Sequence, residues 1–414
     1  MSAHSLSPWQ WRALLTREIT LPLETEQVPL QQARGRYLAA EVRSPEAMPA
    51  LPIAAMDGFA VRRADLKAPG ATTLPVSSEI PARPGQVPAL LPGTAARIMT
   101  GGAVPAGADA VVEVEATDAD PFGPVPAAVT LTLAALPAAG RHVRFPGEEV
   151  AEGELLAAGG DQVGAGLVGL ARALGIAQLP VRRRYRVTVV VTGDELADAA
   201  TAIGSVRESN GTMLAAAVEA DGAQALPSLH SGDDHTQLRE TLARAAAESD
   251  LVLTTGGIGH GAFDVVKTLL GERGSNTSRF EHLALRPGGP QGWGVLDGGV
   301  PVVHLPGTPV GALVGYHLFL RPLLVRESAA PRRMLLGDTS ADRGQRRPGT
   351  VHALPGRLRL EADGREVVDL LPGRRLAPFG RADAIVLRGD ASAAGAGAVA
   401  GADAADGTVA VLRI

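Results

Sequence analysis

Three predicted turns carry the residue types that bind phosphate and a divalent cation. The first places Asp194 and Glu195 directly after an apolar strand, and the second places Asp264 and Lys267 after another. Carboxylates are preferred ligands of Mg²⁺, and small residues let the backbone approach a phosphate closely. The small and turn-forming residues of the second and third turns are Gly256, Gly257, Gly259, Gly261, Pro306, Gly307, Thr308 and Pro309. Together the three turns predict a pocket for an anion and a metal.

Any one of these turns also has a purely structural explanation. A carboxylate such as Asp194 often only caps a helix, and glycine turns are common in a chain with 50 glycines. Lys267 on a helix face is ordinarily a solvated charge. His260 lies between glycines, where a loop residue is more typical than a metal ligand, and His304 is expected to be a hydrogen-bonded core residue. The prediction therefore depends on the three turns meeting at one edge of a β-sheet.

The elements around these turns predict such an edge. The runs 186–191 (RVTVVV), 250–255 (DLVLTT) and 301–305 (PVVHL) are typical of strands buried on both faces. Helices are predicted over about 209–220, 234–248, 263–271 and from Pro309 onward, with Asp234 as the cap of the second. The run 223–229 (AQALPSL) predicts a further strand. Alternating strands and helices form a mostly parallel sheet with helices on both faces, and ligands bind beyond the carboxyl ends of its strands.

Shorter strands predict β-rich regions on both sides of this α/β domain. Apolar runs broken by Pro and Gly between residues 59 and 145 indicate a small β-rich domain. Residues 350–414 contain an Asp-Gly hairpin signal and two further strand-like runs, which predict a terminal β-barrel or sandwich. A helix is predicted to begin at Pro8, and the Ala/Gly-rich stretch 391–407 is predicted to be a loop.

Composition excludes several other kinds of site. The 414 residues are too many for one ordinary core, and 45% hydrophobic against 20% charged residues indicates a folded chain. The 39 basic and 44 acidic residues give a net charge of -5, so the composition does not indicate a basic surface for binding nucleic acid. The absence of cysteine excludes disulfides, thiolate metal sites and cysteine nucleophiles. No run resembles a secretory leader or a membrane span, so no membrane association and a cytoplasmic location are expected.

Further candidate carboxylates lie outside the predicted α/β domain. Asp57 stands in AAMDGFAV, and Glu148 and Glu149 stand in RFPGEEV. All three are also explained as turn residues. Arg97 and Arg144 are cations that either offset the charge of an anion or lie at the surface.

In their order and spacing, these segments resemble the MoeA family, which also includes the C-terminal domain of gephyrin. The resemblance extends from about residue 30 to 325 and is weaker beyond. The segments that carry it are AAMDGFAVRRADL, RIMTGGAVPAGADAVVEVE, RFPGEEVAEGELL, TGDEL, RESNGTML, TTGGIGHGAFDVVK, RPGGP and LPGTPVGAL. It implies a multidomain chain of α/β and β domains. These are an elongated N-terminal dimerisation domain (1–44 and 142–178), an inserted small β-rich domain (45–141), a MogA-like molybdopterin-binding α/β/α domain (179–329) and a C-terminal β-barrel (330–414).

The resemblance also implies a function, molybdenum cofactor biosynthesis by a molybdopterin molybdenumtransferase. Adenylylated molybdopterin and molybdate enter, a Mg²⁺-dependent step cleaves the pyrophosphate linkage, and AMP and molybdenum cofactor leave. The implied assembly is a homodimer whose active site lies between the α/β domain of one subunit and the small β-rich domain of the other. MogA-like proteins and molybdoenzymes are the further partners that it suggests.

The matching motifs carry implied roles for individual residues. Asp57, Glu195 and Asp264 are the implied catalytic residues, and Glu195 and Asp264 would hold Mg²⁺. The implied substrate-binding residues are Thr100, Arg144, Gly256, Gly257, Gly261, Lys267, Arg286, Pro306, Gly307, Thr308 and Pro309. Asp57 and Arg144 are expected to come from the second subunit, and Lys267 and Arg286 are expected to balance charge.

The chain departs from the family pattern in the anion-binding part. The family's Lys-Pro-Gly-Lys-Pro motif has Arg286 and Gly289 at its two lysine positions, so one positive charge is lost. The other departures are Pro52, Ile53 and Ala54 for three polar residues, Gly259 for serine, His260 for an aliphatic residue, Thr308 for asparagine, Glu149 for aspartate, and Arg144 alone for a run of arginines.

Two classes of function therefore remain open. One is a working transferase with an altered pocket, which the retention of Asp57, Glu195 and Asp264 favours. The other is a catalytically impaired paralogue that acts as a dimeric binding or scaffold protein. A MogA-like adenylyl transferase is disfavoured because such a protein lacks the flanking domains.

Overall fold

The computed structural model describes residues 6–197, 205–259, 264–325, 331–340, 348–389 and 407–414. The chain forms two compact units, which we call the sheet unit (Met1–Leu23 with Arg183–Ile414) and the inserted unit (Glu24–Arg182). The described α-helices are α1 (Pro8–Glu18), α2 (Leu30–Ala33), α3 (Ala165–Ala173), α4 (Asn210–Ala220), α5 (His235–Glu248), α6 (Val265–Leu270), α7 (Pro309–Gly315), α8 (Arg321–Val325) and α9 (Leu376–Phe379). None of the described helices is both long and apolar enough to cross a membrane. The four domain boundaries expected above remain predictions, and all but Gly407 of the predicted loop 391–407 lies outside the described residues.

The inserted unit holds the first strands of the chain. They are β1 (Thr25–Pro29), β2 (Val42–Arg43), β3 (Ile53–Ala54), β4 (Gly58–Val61), β5 (Gly70–Ile80), β6 (Ala95–Ile98), β7 (Ala110–Glu113), β8 (Ala128–Leu133), β9 (Val143–Arg144), β10 (Leu155–Ala157) and β11 (Gln178–Arg182). One sheet has the order β7-β4-β6-β5-β8, which confirms a small β-rich region. Strands β1 and β11 pair separately and pack with α2 and α3 around Leu38, Leu179 and Val181.

Close pairing fixes the beginning of β4. An ideal Cβ on Gly58 would lie 2.0 Å from the carbonyl oxygen of Val112 in β7, so only glycine allows this approach. The next residue, Phe59, is fully buried in the core of this sheet. Asp57 directly precedes Gly58 and is therefore held where the strand starts.

The sheet unit is built on a mostly parallel sheet. Its strands, with those of the C-terminal region, are β12 (Arg186–Thr192), β13 (Leu196–Ala197), β14 (Val206–Arg207), β15 (Gln224–Ala225), β16 (Leu229–Ser231), β17 (Leu251–Thr255), β18 (Ser278–His282), β19 (Leu285–Arg286), β20 (Pro290–Val295), β21 (Pro301–Leu305), β22 (Arg332–Leu336), β23 (Val351–Leu360), β24 (Glu366–Leu370), β25 (Ala384–Arg388) and β26 (Thr408–Arg413). The sheet order is β15-β12-β17-β21-β20-β18, and β16 also pairs with β12. Strands β15, β16, β12, β17 and β21 pair in parallel, whereas β20 and β18 are antiparallel.

Helices cover both faces of this sheet. Val189 of β12 and Leu253 of β17 face a core that contains residues of α4 and α7. Their neighbours in the two strands, Val190 and Val252, face the opposite core with residues of α5 and α6. This alternation, in strands buried on both sides, confirms the predicted three-layer α/β/α architecture.

Local chemistry explains where the elements begin and end. Asp234 caps α5 as predicted, because its carboxylate accepts hydrogen bonds from the backbone N–H groups of Thr236 and Gln237. The predicted strand over 223–229 is instead two short strands, β15 and β16. Pro227 lies between them and has no N–H to donate to a sheet.

The helix predicted to run on from Pro309 is not a single α-helix. A π-helical turn over Tyr316–Leu320 separates α7 from α8, and the N–H of Arg321 donates five residues back to the carbonyl of Tyr316. Pro322 follows immediately and has no N–H for the regular α-helical hydrogen bond, so the backbone is already irregular at this point.

The C-terminal strands form a closed barrel. They pair in the order β23-β24-β22-β26-β25, and β25 pairs back onto β23. The predicted Asp363-Gly364 turn joins β23 to β24, with Gly364 at a φ of 84°. The barrel expectation is therefore confirmed. Its strand β23 also pairs with β19, and Arg286 lies opposite His352 in that pairing.

A buried ion pair at the start of the sheet predicts a pH-dependent contribution to stability. Burial raises the pKa of Asp250, but the hydrogen bonds from Arg183 and Arg186 lower it by more than burial raises it. The net pKa of Asp250 is therefore below its ordinary value. The Arg183 guanidinium lies 2.9 Å from the carboxylate and the Arg186 backbone nitrogen lies 2.7 Å from it. We expect Asp250→Asn to lower the free energy of unfolding at pH 7 by about 1–3 kcal/mol.

A depressed native pKa stabilises the fold above the ordinary Asp pKa of about 4, and this stabilisation is lost as the pH falls through the lowered native value. Urea unfolding of wild type and Asp250→Asn at pH 7 and pH 3 measures the effect. The difference between the two proteins should shrink at pH 3. An equal difference at both pH values would contradict the assignment.

Candidate active site

A cavity of about 520 Å³ opens at the carboxyl ends of the central strands. Val191, Thr255 and Leu305 are paired in register across β12, β17 and β21, so the three following turns leave the sheet at one level. Residues from all three turns line the cavity, among them Glu195, Gly256, Gly257, Asp264, Pro306, Gly307, Thr308 and Pro309. The structure thus brings together the turns that the sequence predicts to meet. Gly261 and His260 lie outside the described residues.

Four carboxylates come together at this edge. Glu195 and Asp264 line the cavity, and so does Asp233, which follows β16. The Asp264 carboxylate accepts a 2.7 Å hydrogen bond from the Gly259 N–H. Asp194 is not a helix cap, since its carboxylate accepts a 3.1 Å hydrogen bond from the N–H of Asp233 and so holds the turn that carries that residue.

Asp233 is a site residue that sequence reasoning missed. It stands beside Asp234. The prediction that Asp234 caps α5 explains an acidic residue at this point of the chain and does not single out Asp233. The available signal was position, because Asp233 follows another short strand that ends at the same edge of the sheet. The sequence hides that signal because the run 223–229 resembles one strand that ends four residues before Asp233.

The acidic cluster fits a Mg²⁺ ion. Burial raises the pKa of Asp233, and the negative charges of Asp194, Glu195 and Asp264 raise it further. A divalent cation would relieve this repulsion. Within the described ranges, no three His, Asp or Glu side chains form a ready-made metal centre. A Mg²⁺ ion here would therefore be held by at most two of these carboxylates, with waters and substrate phosphates completing its coordination.

The turn after β17 requires glycine at Gly256. Its φ is +99°, and an ideal Cβ would lie 2.7 Å from the Thr192 hydroxyl and 2.8 Å from the Thr192 carbonyl. The turn after β21 approaches from the other side, and a Cβ on Gly307 would lie 3.2 Å from the Gly256 Cα. Backbone therefore packs against backbone here, and side chains are excluded from the contact between the two turns.

Asn210 ties these two turns together. It begins α4 and is only 8% exposed. Its amide nitrogen donates to the Thr255 hydroxyl and to the Gly307 carbonyl, each at 2.8 Å, and the Thr255 hydroxyl donates to the Pro306 carbonyl at 3.0 Å. This chain of hydrogen bonds fixes the Pro306–Thr308 segment relative to β17. The RESNGTML motif contains Asn210, but its contacts depend on tertiary structure and were not predicted.

A second cavity of about 770 Å³ adjoins the first. The two share Gly259 and Asp264 as lining residues. The second is also lined by Lys267, Phe280 and Trp293. Lys267 is not simply a solvated charge, because its ammonium nitrogen donates to the Gly259 carbonyl at 3.3 Å.

Two other predicted residues of the sheet unit lie apart from the cavity linings. Arg286 is exposed on β19. His304 is fully buried, and its ring nitrogens lie 2.8 Å from the Thr254 hydroxyl and 2.9 Å from the Ser278 hydroxyl. Burial lowers the pKa of His304 to about 3, so it is a neutral core residue, as expected.

In the inserted unit, the structure pairs two of the predicted residues. The Asp57 carboxylate accepts hydrogen bonds from the Thr100 N–H at 2.6 Å and from the Thr100 hydroxyl at 2.7 Å. These two bonds, with the charge of Arg97, hold the pKa of Asp57 below its usual value. Asp57 is exposed. An exposed carboxylate that is firmly ionised is suited to contact a cationic or metal-bound group.

Arg144 lies on β9, opposite Ile53 of β3, and is exposed. The residue two positions earlier, His142, accepts the Ala55 N–H at its carbonyl. Glu113 lies 2.8 Å from the Arg141 guanidinium and 3.2 Å from the His142 ring. The segment that carries Arg144 is thereby anchored beside the β3–β4 turn that carries Asp57.

Comparison with known proteins identifies the family. Residues 7–175 match the family described as "MoeA N-terminal region (domain I and II)", and residues 188–326 match the one described as "Probable molybdopterin binding domain". Molybdopterin molybdenumtransferase 2 of Mycobacterium tuberculosis is 43% identical over 321 residues, which cover 75% of each chain. Molybdopterin molybdenumtransferase of Haemophilus influenzae is 30% identical over 319 residues, which cover 77% of this chain and 76% of the relative.

The structural comparison agrees at the level of the fold. The crystal structure of the molybdopterin biosynthesis MoeA protein from Pyrococcus horikoshii OT3 superposes with a TM-score of 0.72 at 24% identity. The superposition covers 92% of this chain and 95% of that one. From the extent of the sequence matches, the chain belongs to the MoeA family.

Proposed function

We propose that the protein is a molybdopterin molybdenumtransferase, which uses Mg²⁺ to insert molybdate into adenylylated molybdopterin with release of AMP. The observation that carries the proposal is that Glu195, Asp233 and Asp264 line one cavity together with the glycine turns at Gly256 and Gly307. A pyrophosphate linkage needs both, because its negative charge must be held by backbone N–H groups and a divalent cation.

The two adjoining cavities support the substrate class. At about 520 and 770 Å³, each lies within the usual range for a small-molecule site. The acidic cavity suits a metal-bound pyrophosphate. The second offers the aromatic rings of Phe280 and Trp293, beside polar groups, to a planar heterocycle. Asp264 lines both and would lie near the linkage that joins the two halves of the substrate.

The residues of this chain would act by binding and orientation. Glu195 and Asp264 would hold Mg²⁺, which supplies charge neutralisation to the pyrophosphate when bound, and Asp233 would add negative charge beside them. The Gly256 and Gly307 turns, fixed by Asn210, would hold the phosphates in one orientation. Lys267 would add positive charge close to Asp264. This mechanism needs no covalent nucleophile, since water and molybdate provide the attacking oxygen atoms.

We also propose a homodimer in which Asp57, Thr100 and Arg144 of one subunit complete the site on the other. The exposed, ionised Asp57 and the exposed Arg144 support this, because such groups bind an anionic, metal-loaded substrate well. The proposed location is the cytoplasm. MogA-like proteins and molybdoenzymes are proposed as the suppliers of substrate and acceptors of product.

Loss of the Glu195 charge should stop the reaction. With adenylylated molybdopterin, Mg²⁺ and molybdate, wild type should release AMP, whereas Glu195→Gln should be slower by a factor of at least about 100. Glu219→Gln, an exposed change at the far end of α4, is the matched control and should retain full activity. Thermal melting should show all three proteins folded. Wild type that binds the nucleotide but releases no AMP at any molybdate concentration would favour a binding or scaffold protein instead.

The hydroxyl of Thr100 should set the ionisation of Asp57. Thr100→Val removes the 2.7 Å hydroxyl bond and leaves the 2.6 Å backbone bond, so the depressed pKa of Asp57 should rise toward the ordinary value. Carboxyl ¹³C NMR titration measures this pKa directly. Thr73→Val is a matched change of a β5 hydroxyl that lies 3.1 Å from Thr130, and it should leave the Asp57 titration unmoved. An unchanged pKa in Thr100→Val would contradict the assignment.

A further inference from the structure

A lateral row of paired residues connects the centre of the sheet to the second cavity. Thr254 of β17 pairs with His304 of β21, and His304 pairs in turn with Gly292 of β20. Gly292 then pairs with Phe280 of β18. Residues that pair directly lie on the same face of a sheet, so their side chains are neighbours. Phe280 lines the 770 Å³ cavity, whereas His304 does not.

The glycine in this row lets two rings meet across β20. An ideal Cβ on Gly292 would lie 2.6 Å from Cδ1 of Phe280, so a side chain at position 292 is excluded. The rings of Phe280 and His304 stack with their centroids 5.0 Å apart and their planes inclined by 23°. Rings that pack beside a glycine in this way fix neighbouring strands in register. His304 therefore supports the Phe280 ring from inside the core.

His304 also holds two hydroxyl groups. Its Nδ1 lies 2.8 Å from the Thr254 hydroxyl, and its Nε2 lies 2.9 Å from the Ser278 hydroxyl. Because burial keeps the ring neutral, one ring nitrogen donates and the other accepts, and both hydroxyls are bonded in either tautomer. Ser278 lines the second cavity. A hydroxyl with one such bond can still bond to a ligand.

We propose that His304 is a positioning residue for the planar heterocycle of the substrate. It would hold the Phe280 ring against the face of the heterocycle and the Ser278 hydroxyl at its edge. This inference rests on the proposed function. Because His304 lines neither cavity, it would act only through these two side chains. Groups that are already held in place bind a ligand more tightly, so His304 would act on substrate binding.

A purely structural role is the competing explanation, in which His304 only satisfies and fills the core. Three variants separate the two explanations. His304→Phe keeps a ring beside Phe280 but removes both hydrogen bonds, and Ser278→Ala removes the hydroxyl at the cavity. His304→Gln is the conservative variant, because its amide nitrogen lies as many bonds from Cβ as Nε2 does, and so the bond to Ser278 can form.

The matched control is another buried histidine. His317 is 7% exposed, and burial lowers its pKa to about 3, as it does for His304. Its ring packs edge-on against Tyr316, and it lines neither cavity. His317→Phe therefore disturbs the core of the sheet unit in a comparable way without touching the proposed binding wall.

The experiment measures binding of adenylylated molybdopterin by isothermal titration calorimetry, with Mg²⁺ and without molybdate. His304→Phe and Ser278→Ala should each weaken binding by about fivefold to tenfold, the size of one hydrogen bond. The double variant should bind no more weakly than the weaker single one, since both changes remove the same bond. His304→Gln should bind within about twofold of wild type, and His317→Phe should match wild type.

Steady-state AMP release gives a second readout. In His304→Phe and Ser278→Ala the KM for adenylylated molybdopterin should rise with the dissociation constant, while kcat should stay within about twofold of wild type. Urea unfolding reports the stability of every variant. If His304→Phe does not fold, Ser278→Ala and His304→Gln carry the same test.

Wild-type affinity in His304→Phe or in Ser278→Ala would overturn the inference. Equal weakening in His317→Phe would overturn it too, and so would a double variant in which the two losses multiply. Release of AMP with a KM that does not depend on His304 would leave the proposed function standing and remove this inference. Binding that depends on His304 in a wild type that releases no AMP would do the reverse.

Discussion

Mutual repulsion among carboxylates is the constraint on which the candidate site depends. Asp194, Glu195, Asp233 and Asp264 are brought to one edge of the sheet, and the pKa of Asp233 is raised by its burial and then by the negative charges of the other three. A fold tolerates such a cluster where a cation is bound during function. The rest of the sheet unit holds these side chains in place against their repulsion, through the N–H groups of Gly259 and Asp233.

The rigidity of the neighbouring turns follows from the same arrangement. Three parallel strands end in register, and the turns after two of them pack backbone against backbone at Gly256 and Gly307. The Asn210 side chain then bonds to both. Anion binding by backbone N–H groups requires this precision, because the donors must already be aimed when the substrate arrives.

Much of the framework was predictable because it depends on local patterns. The β-branched run RVTVVV predicts the buried strand β12, and Asp234 predicts the start of α5. The meeting of three turns followed from the general geometry of parallel sheets. Residues whose importance depends on distant contacts were not predictable in this way. Asp233 was masked by its capping neighbour, and the role of Asn210 requires the positions of Thr255 and Gly307.

The space beside Gly289, where the His282 ring lies, shows the same limit. The motif predicts a missing charge at Gly289, but sequence spacing does not show which side chain fills the space. Only the pairing of β18 with β20 places the imidazole there. In the same way, the broken helix after Pro309 reflects a single proline, Pro322, in an otherwise continuous apolar run.

The most direct test of the central claim is to locate a bound metal. Crystals grown with Mn²⁺ in place of Mg²⁺ and with AMP would show the ion by anomalous scattering. The account predicts one strong peak beside Glu195 and Asp264, with the AMP phosphate against the Gly256 and Gly307 turns. A Mn²⁺ peak and an AMP molecule bound away from these carboxylates would contradict it.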